Sequence, residues 1–214
     1  MALFPKDRRA AKSPAEDVGK APGTDGTVVS HRVTKDLERS ETLASMLAHS
    51  RASRTVEVAD LLAGMYIYEW ENLSKFWEQQ DDVETFLQQI CRISPQRWHH
   101  WIEFYDHQRH TKGPRKIWQL PKGLKAATGK AAKPNGAPLR RSAELQNILK
   151  TAEELSPARD FVDGRAIPIL TCECVLLAIA KKTDSEIGHR LVATGLNVTS
   201  LEESARNPKH APKH

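Results

Sequence analysis

Residues Cys172–Glu203 read CECVLLAIAKKTDSEIGHRLVATGLNVTSLEE, and their punctuation decides the fold class. Just upstream, AIPILTCECVLLAIAKK is apolar enough for a buried segment. Periodicity leaves strand and helix open for its first half and favours helix from Glu173 to Lys181. Thr183 with Glu186 forms a T-x-x-E capping box, Gly195 suits the left-handed residue that closes a helix, and Thr199 with Glu202 repeats the box. Upstream, Ser142 opens AELQNILKTAEEL, in which Leu145, Ile148, Leu149 and Ala152 share a face, and Pro157 ends the element. Short helices joined by tight turns predict an all-α bundle.

The N-terminal half is also helical in pattern, and richer in aromatics. Ser40 is a candidate N-cap for ETLASMLAHS, where Leu43, Met46 and Leu47 fall together. From about Val56 to Gln79, Val58, Leu61, Leu62, Met65, Leu73, Phe76 and Trp77 recur at helical spacing, and Tyr66, Tyr68 and Trp70 widen the stripe. Asp81 and Glu84 form a D-x-x-E capping pattern before VETFLQQI, and Ser94-Pro95 starts the next helix.

That helix carries RWHHWIEFYDHQRH, Arg97 to His110. At 100° per residue, Trp98, Trp101, Ile102 and Tyr105 form one stripe, with Phe104 at its edge, and His99, His100, Glu103, His107 and His110 cluster opposite. The aromatic side predicts core. On the other side, His99, Glu103, His107 and His110 have the i, i+3 and i+4 spacing of ligands to one metal ion. The competing reading is an exposed polar face, since one helix cannot close a four-coordinate site without a ligand from elsewhere.

Between the halves lies a basic segment. Residues 111–141 contain nine Lys or Arg and no Asp or Glu, so the net charge of +5 conceals a remainder that is net negative. Its prolines and glycines predict a linker. Lys112, Arg115, Lys116, Trp118, Lys122 and Lys125 could neutralise phosphates and stack on a base, giving salt-dependent, sequence-independent nucleic-acid binding. The boundaries expected are an arm over 1–38, a helical region over 39–110, the linker over 111–141, a second helical region over 142–204 and a tail over 205–214. The arm has neither the apolar run of a secretory signal nor, anywhere downstream, the roughly 20 apolar residues of a membrane span, so a cytoplasmic protein with no membrane partner is expected. Cys91, Cys172 and Cys174 are odd in number, and the close pair is spaced for neither a zinc nor a redox motif. Cys91 lies near His99 and His100 but follows an apolar helix, which reads as a small buried hydrophobe rather than a nucleophile.

The segment from Ser142 to Glu203 resembles the repeat of the Clp amino-terminal domain. Cys172 to Ile179 fall along that family's T-E-H-L-L-L-G-L, and Leu191 with Gly195-Leu196-Asn197-Val198 falls along its L-G-(V/I)-(D/N) ending. Cys172 and Cys174 stand where the family has Thr and His. The family carries the repeat twice, so the resemblance implies a degenerate first copy: Ser40, Leu43, Met46 and Leu47 as its first helix, then ADLLAGM from Ala59 to Met65, with Asp60 on the His, Gly64 on the Gly, and Ala59 where the family has Glu.

The resemblance implies a stand-alone binding or adaptor domain whose partner is a Clp ATPase or its substrates. The chain has no G-x-x-x-x-G-K-[ST] phosphate loop, so a non-enzymatic role without cofactor is expected. Some relatives hold phosphorylated arginine with the residues around T-E-H and a Thr at the start of the first helix. Ser142 and Glu173 are the chemical matches here, and a Glu173 carboxylate could take a guanidinium through paired hydrogen bonds. The competing reading is that Glu173 only solvates a helix start.

Overall fold

The computed structural model describes residues 31–110, 139–162 and 164–207, apart from the side chains at 80, 104, 106–110 and 162. The chain is mostly helical, with short strands that the periodicity did not announce. Strand β1 (Arg32–Val33) leads into α1 (Lys35–Ser50), and β2 (Thr55–Val56) leads into α2 (Val58–Leu73). A 3-10 turn over Ser74–Phe76 follows, then α3 (Gln80–Cys91) and α4 (Pro95–His110). After residue 138 the same order recurs: β3 (Arg140–Arg141), α5 (Ala143–Leu155), a hairpin of β4 (Arg159–Val162) and β5 (Arg165–Leu170), then α6 (Cys172–Lys181), α7 (Glu186–Ala193) and α8 (Val198–Arg206).

The two halves pair with each other reciprocally. β1 lies parallel to β5, with Arg32 opposite Ile169 and Val33 opposite Leu170. β3 lies parallel to β2, with Thr55 opposite Arg140 and Val56 opposite Arg141. The residue after each short strand caps the helix that follows. Thr34 Oγ1 accepts from the Leu37 N–H at 3.4 Å, and Ser142 Oγ accepts from the Leu145 N–H at 3.2 Å. Each cap also donates its own N–H to the end of the other half's strand, Thr34 to the Leu170 carbonyl at 2.9 Å and Ser142 to the Val56 carbonyl at 3.0 Å. Each half thus completes the other's sheet, so neither pairing can form within one half alone.

One apolar cluster runs through both halves, from Leu37, Leu61 and Trp98 to Leu145, Leu176 and Leu201. Small residues allow its closest approaches. At Gly64 an added Cβ would lie 2.5 Å from the Ser40 carbonyl oxygen and 3.0 Å from the Ala44 nitrogen, so the α1 and α2 backbones nearly touch. Polar contacts tie the halves at their edges: Trp77 Nε1 donates to Thr194 Oγ1 at 2.9 Å, and the Arg190 guanidinium lies 5.2 Å from the Phe86 ring centroid.

Several expected boundaries shift. α1 begins at Lys35, and Ser40 lies fully buried within it, its hydroxyl donating to the Asp36 carbonyl. The single helix expected from Val56 to Gln79 is shorter: β2 takes its first residue, α2 kinks at Glu69, and Trp77 forms an isolated bridge with Leu196. Asp81 and Glu84 sit inside α3 rather than capping it. Ser185 occupies the cap position of α7 in place of Thr183, and Asn197, not Thr199, caps α8 by accepting from the Ser200 N–H. Ser142 and the closing role of Gly195, whose φ is +83°, stand as read. In AIPILTCECVLLAIAKK the open question resolves as strand to Leu170 and helix from Cys172, with Thr171 as cap.

Candidate functional site

The reciprocal strands set two helix starts beside the caps of the opposite half, and Glu173 belongs to one of them. Thr171 Oγ1 accepts from the Cys174 N–H at 3.2 Å and opens α6, which places Glu173, half-buried, in its first turn. Because Thr34 bonds to the Leu170 carbonyl, the hydroxyl cap beside this end is Thr34, from the first half. Under it, Cys172 is buried and its Sγ lies 3.8 Å from Ser40 Oγ. Burial pushes the Cys172 thiol well up, and the charges of Glu69, Glu173 and Asp36 add to the shift. Asp36 is 3.9 Å from the Arg39 guanidinium. A carboxylate in the first turn is favoured by the helix dipole whether or not it meets a ligand, and it can accept a guanidinium.

Ser142 is not part of that end. Ser156 Oγ donates to the Ile169 carbonyl at 2.6 Å where α5 finishes and α6 is about to start, and Ser185 Oγ donates to Glu144 Oε1 at 2.9 Å where α5 starts and α6 has finished. The two helices are therefore antiparallel, and Ser142 lies roughly 20 Å from Glu173, the length of α5 at 1.5 Å per residue. The Ser142 hydroxyl is committed to the Leu145 N–H. Ser142 and Glu173 therefore stand apart, and the hydroxyl cap beside Glu173 is that of Thr34. A sequence cue for Thr34 exists: T-K-D-L at Thr34 to Leu37 matches S-A-E-L at Ser142 to Leu145, a hydroxyl cap followed by an acid in the first turn and a buried leucine.

The corresponding end of the first half is closed. Asp60 is fully buried; its Oδ2 accepts from the Glu57 N–H at 2.9 Å, and Oδ1 pairs with the Arg51 guanidinium. Burial raises its carboxyl above the ordinary value despite those bonds. Ala59, where Glu173 has its counterpart, carries no charge and is 6% exposed.

On α4 the helical wheel holds for every described side chain. Trp98, Trp101 and Tyr105 are buried and Ile102 packs beside them; His99, His100 and Glu103 are exposed, with His99 Nε2 3.5 Å from Glu103 Oε1. The side chains of His107 and His110 lie outside the described residues, and among those described no group of three metal-ligating side chains comes together. Lys112, Arg115, Lys116, Trp118, Lys122 and Lys125 also lie outside the described residues. All three cysteines are free and buried. Cys91 Sγ donates to the Ala59 carbonyl at 3.2 Å, and burial pushes its thiol up to about 12, as befits a packed hydrophobe. Among the described residues no helix is long and apolar enough to cross a membrane.

No protein-family model, curated protein or solved structure matches this chain.

Proposed function

We propose that the chain is a non-enzymatic protein-binding module resembling the Clp amino-terminal domains, acting as an adaptor in the delivery of substrates to a Clp unfoldase. The reading rests on one observation. The chain contains two copies of a strand, a hydroxyl-capped helix, a second strand and an apolar helix, each copy completing the other's sheet. A twofold repeat is what the resemblance implies of that family. The equivalence also relocates the first copy's start from Ser40 to Thr34. The two ends are chemically unequal: the α6 end has Glu173, half-buried, in its first turn, while the α2 end has turned its acid, Asp60, inward onto Arg51. Of these two ends, the α6 end is the one that can accept a cation, and a basic side chain of the partner is its natural complement.

The test is affinity capture from cell extract with the full chain and with Glu173→Gln. Clp ATPase subunits or their clients are expected to be retained by the parent chain and reduced about tenfold by the substitution, the loss of one charge-assisted contact. Capture that includes neither, or that Glu173→Gln leaves unchanged, removes the reading.

A further inference from the structure

The pairing of the halves exposes a second surface, along the groove between α5 and α6, where one half is covered and the other, among the described residues, is open. In the first half, the groove between α1 and α2 is filled by Tyr105 of α4. Its hydroxyl donates to Met46 Sδ at 3.6 Å, and its ring meets Tyr68 edge-on, centroids 6.5 Å apart and planes at 73°. Leu43, Ile67 and Tyr68 beneath it are buried.

Matching the caps Thr34 with Ser142 and the strand ends Val56 with Leu170 carries these positions into the second half residue by residue. Leu43 falls on Thr151, Met46 on Glu154, Gly64 on Ala178, Ile67 on Lys181 and Tyr68 on Lys182. These same residues line a groove of about 440 Å³ between α5 and α6, with Lys150 beside them and Asp184 at the rim. Nothing among the described residues covers it.

The lining differs in a way that specifies an occupant. The floor stays small and apolar, since Ala178 is fully buried. The walls have become charged: Lys182 replaces the ring that met Tyr105 edge-on, and Glu154 replaces the weak sulfur acceptor of its hydroxyl. Lys181 is paired with Glu202 at 2.9 Å. An ammonium beside a ring face and a carboxylate beside a phenol are each attractive, and a tyrosine satisfies both at once. We propose that this groove receives a tyrosine side chain presented by a helix of a partner protein, as Tyr105 fills the groove of the first half. The patch is small and polar, so the contact is reversible and adds to binding made elsewhere. It does not depend on Glu173, which is not among the residues lining the groove.

The probe is a helical peptide with one central tyrosine, and its phenylalanine and alanine versions, titrated into the full chain with amide shifts followed by NMR. Shifts at Thr151, Ala178 and Lys182 are expected, with affinity falling in the order tyrosine, phenylalanine, alanine and about tenfold across the series. Glu154→Gln, at an exposed position that leaves the core intact, brings the tyrosine peptide down to the phenylalanine peptide, and Lys182→Glu removes the preference for an aromatic ring. Glu173→Gln leaves these affinities unaltered, which separates this groove from the α6 end. Absence of shifts in the groove overturns the proposal, as does equal binding of the alanine peptide, or a tyrosine preference that survives both groove substitutions.

Discussion

Gly64→Ala adds one methyl group where the structure has no room for it. The new Cβ would sit 2.5 Å from the Ser40 carbonyl oxygen and 3.0 Å from the Ala44 nitrogen, both backbone atoms of α1, so no side chain can swing aside. Relief requires α1 and α2 to separate, and α1 carries Leu37, Leu43, Ala44, Leu47 and Ala48 into the core. Overpacking of this kind costs about 3 kcal/mol, offset by about 1 kcal/mol because alanine is the better helix former in the middle of α2. The net loss is about 2 kcal/mol, which for a chain of this size lowers the thermal midpoint by about 4–8 °C. Circular dichroism melts of the two proteins measure it directly, with urea midpoints as a second reading. Gly195→Ala is the internal comparison: its φ of +83° strains alanine, yet an added Cβ meets nothing within 4 Å. It should cost only about 1 kcal/mol. A Gly64→Ala protein as stable as the parent, or more so, would refute the close helix approach and with it the packing of the first half.

Trp98→Ala should lose about 3–5 kcal/mol, because the ring is buried and stacks on Tyr66 with centroids 6.2 Å apart, whereas His99→Ala and His100→Ala on the opposite face should stay within about 0.5 kcal/mol; denaturant titration distinguishes them. Thiol labelling of the native protein near pH 8 should modify none of the three cysteines until denaturant is added, since all are buried and the Cys91 thiol is held up to about 12; rapid stoichiometric labelling of the folded chain contradicts this. Burial holds the Asp60 carboxyl above its usual 3.8, so the folded state binds that proton more tightly than the unfolded chain does, and ionisation costs stability as the pH rises above that value. Measured against Asp60→Asn, the parent should therefore lose ground as the pH rises above about 4, and a difference that moves the other way shows the carboxyl is held low instead.

What could be read along the chain was local. The split of RWHHWIEFYDHQRH into a buried aromatic side and an exposed histidine side follows from the 3.6-residue period alone, and the structure repeats it for each described side chain. Caps supported by one hydroxyl close to its helix, such as Ser142, were equally legible. Capping boxes at Asp81, Thr183 and Thr199 misled, because the pattern tolerates a shift of a residue or two and neighbouring turns compete for the start. The β4–β5 hairpin had a readable cue in Asp163-Gly164 between apolar runs, with Gly164 at a φ of +74°.

The remaining strands had no cue of their own. β1, β2 and β3 are two residues long and gain their partners from the opposite half, so nothing in their immediate surroundings distinguishes them from loop. Only tertiary pairing could set Thr34 rather than Ser142 beside Glu173, and leave the groove at Ala178 uncovered by any described residue where its counterpart at Gly64 is filled. Helix periodicity and hydroxyl caps arise from groups a few residues apart and are written in the chain. Which cap meets which carboxylate depends on hydrogen bonds between segments more than a hundred residues apart, such as that of Thr34 to Leu170, and it is settled when the two halves close on one another.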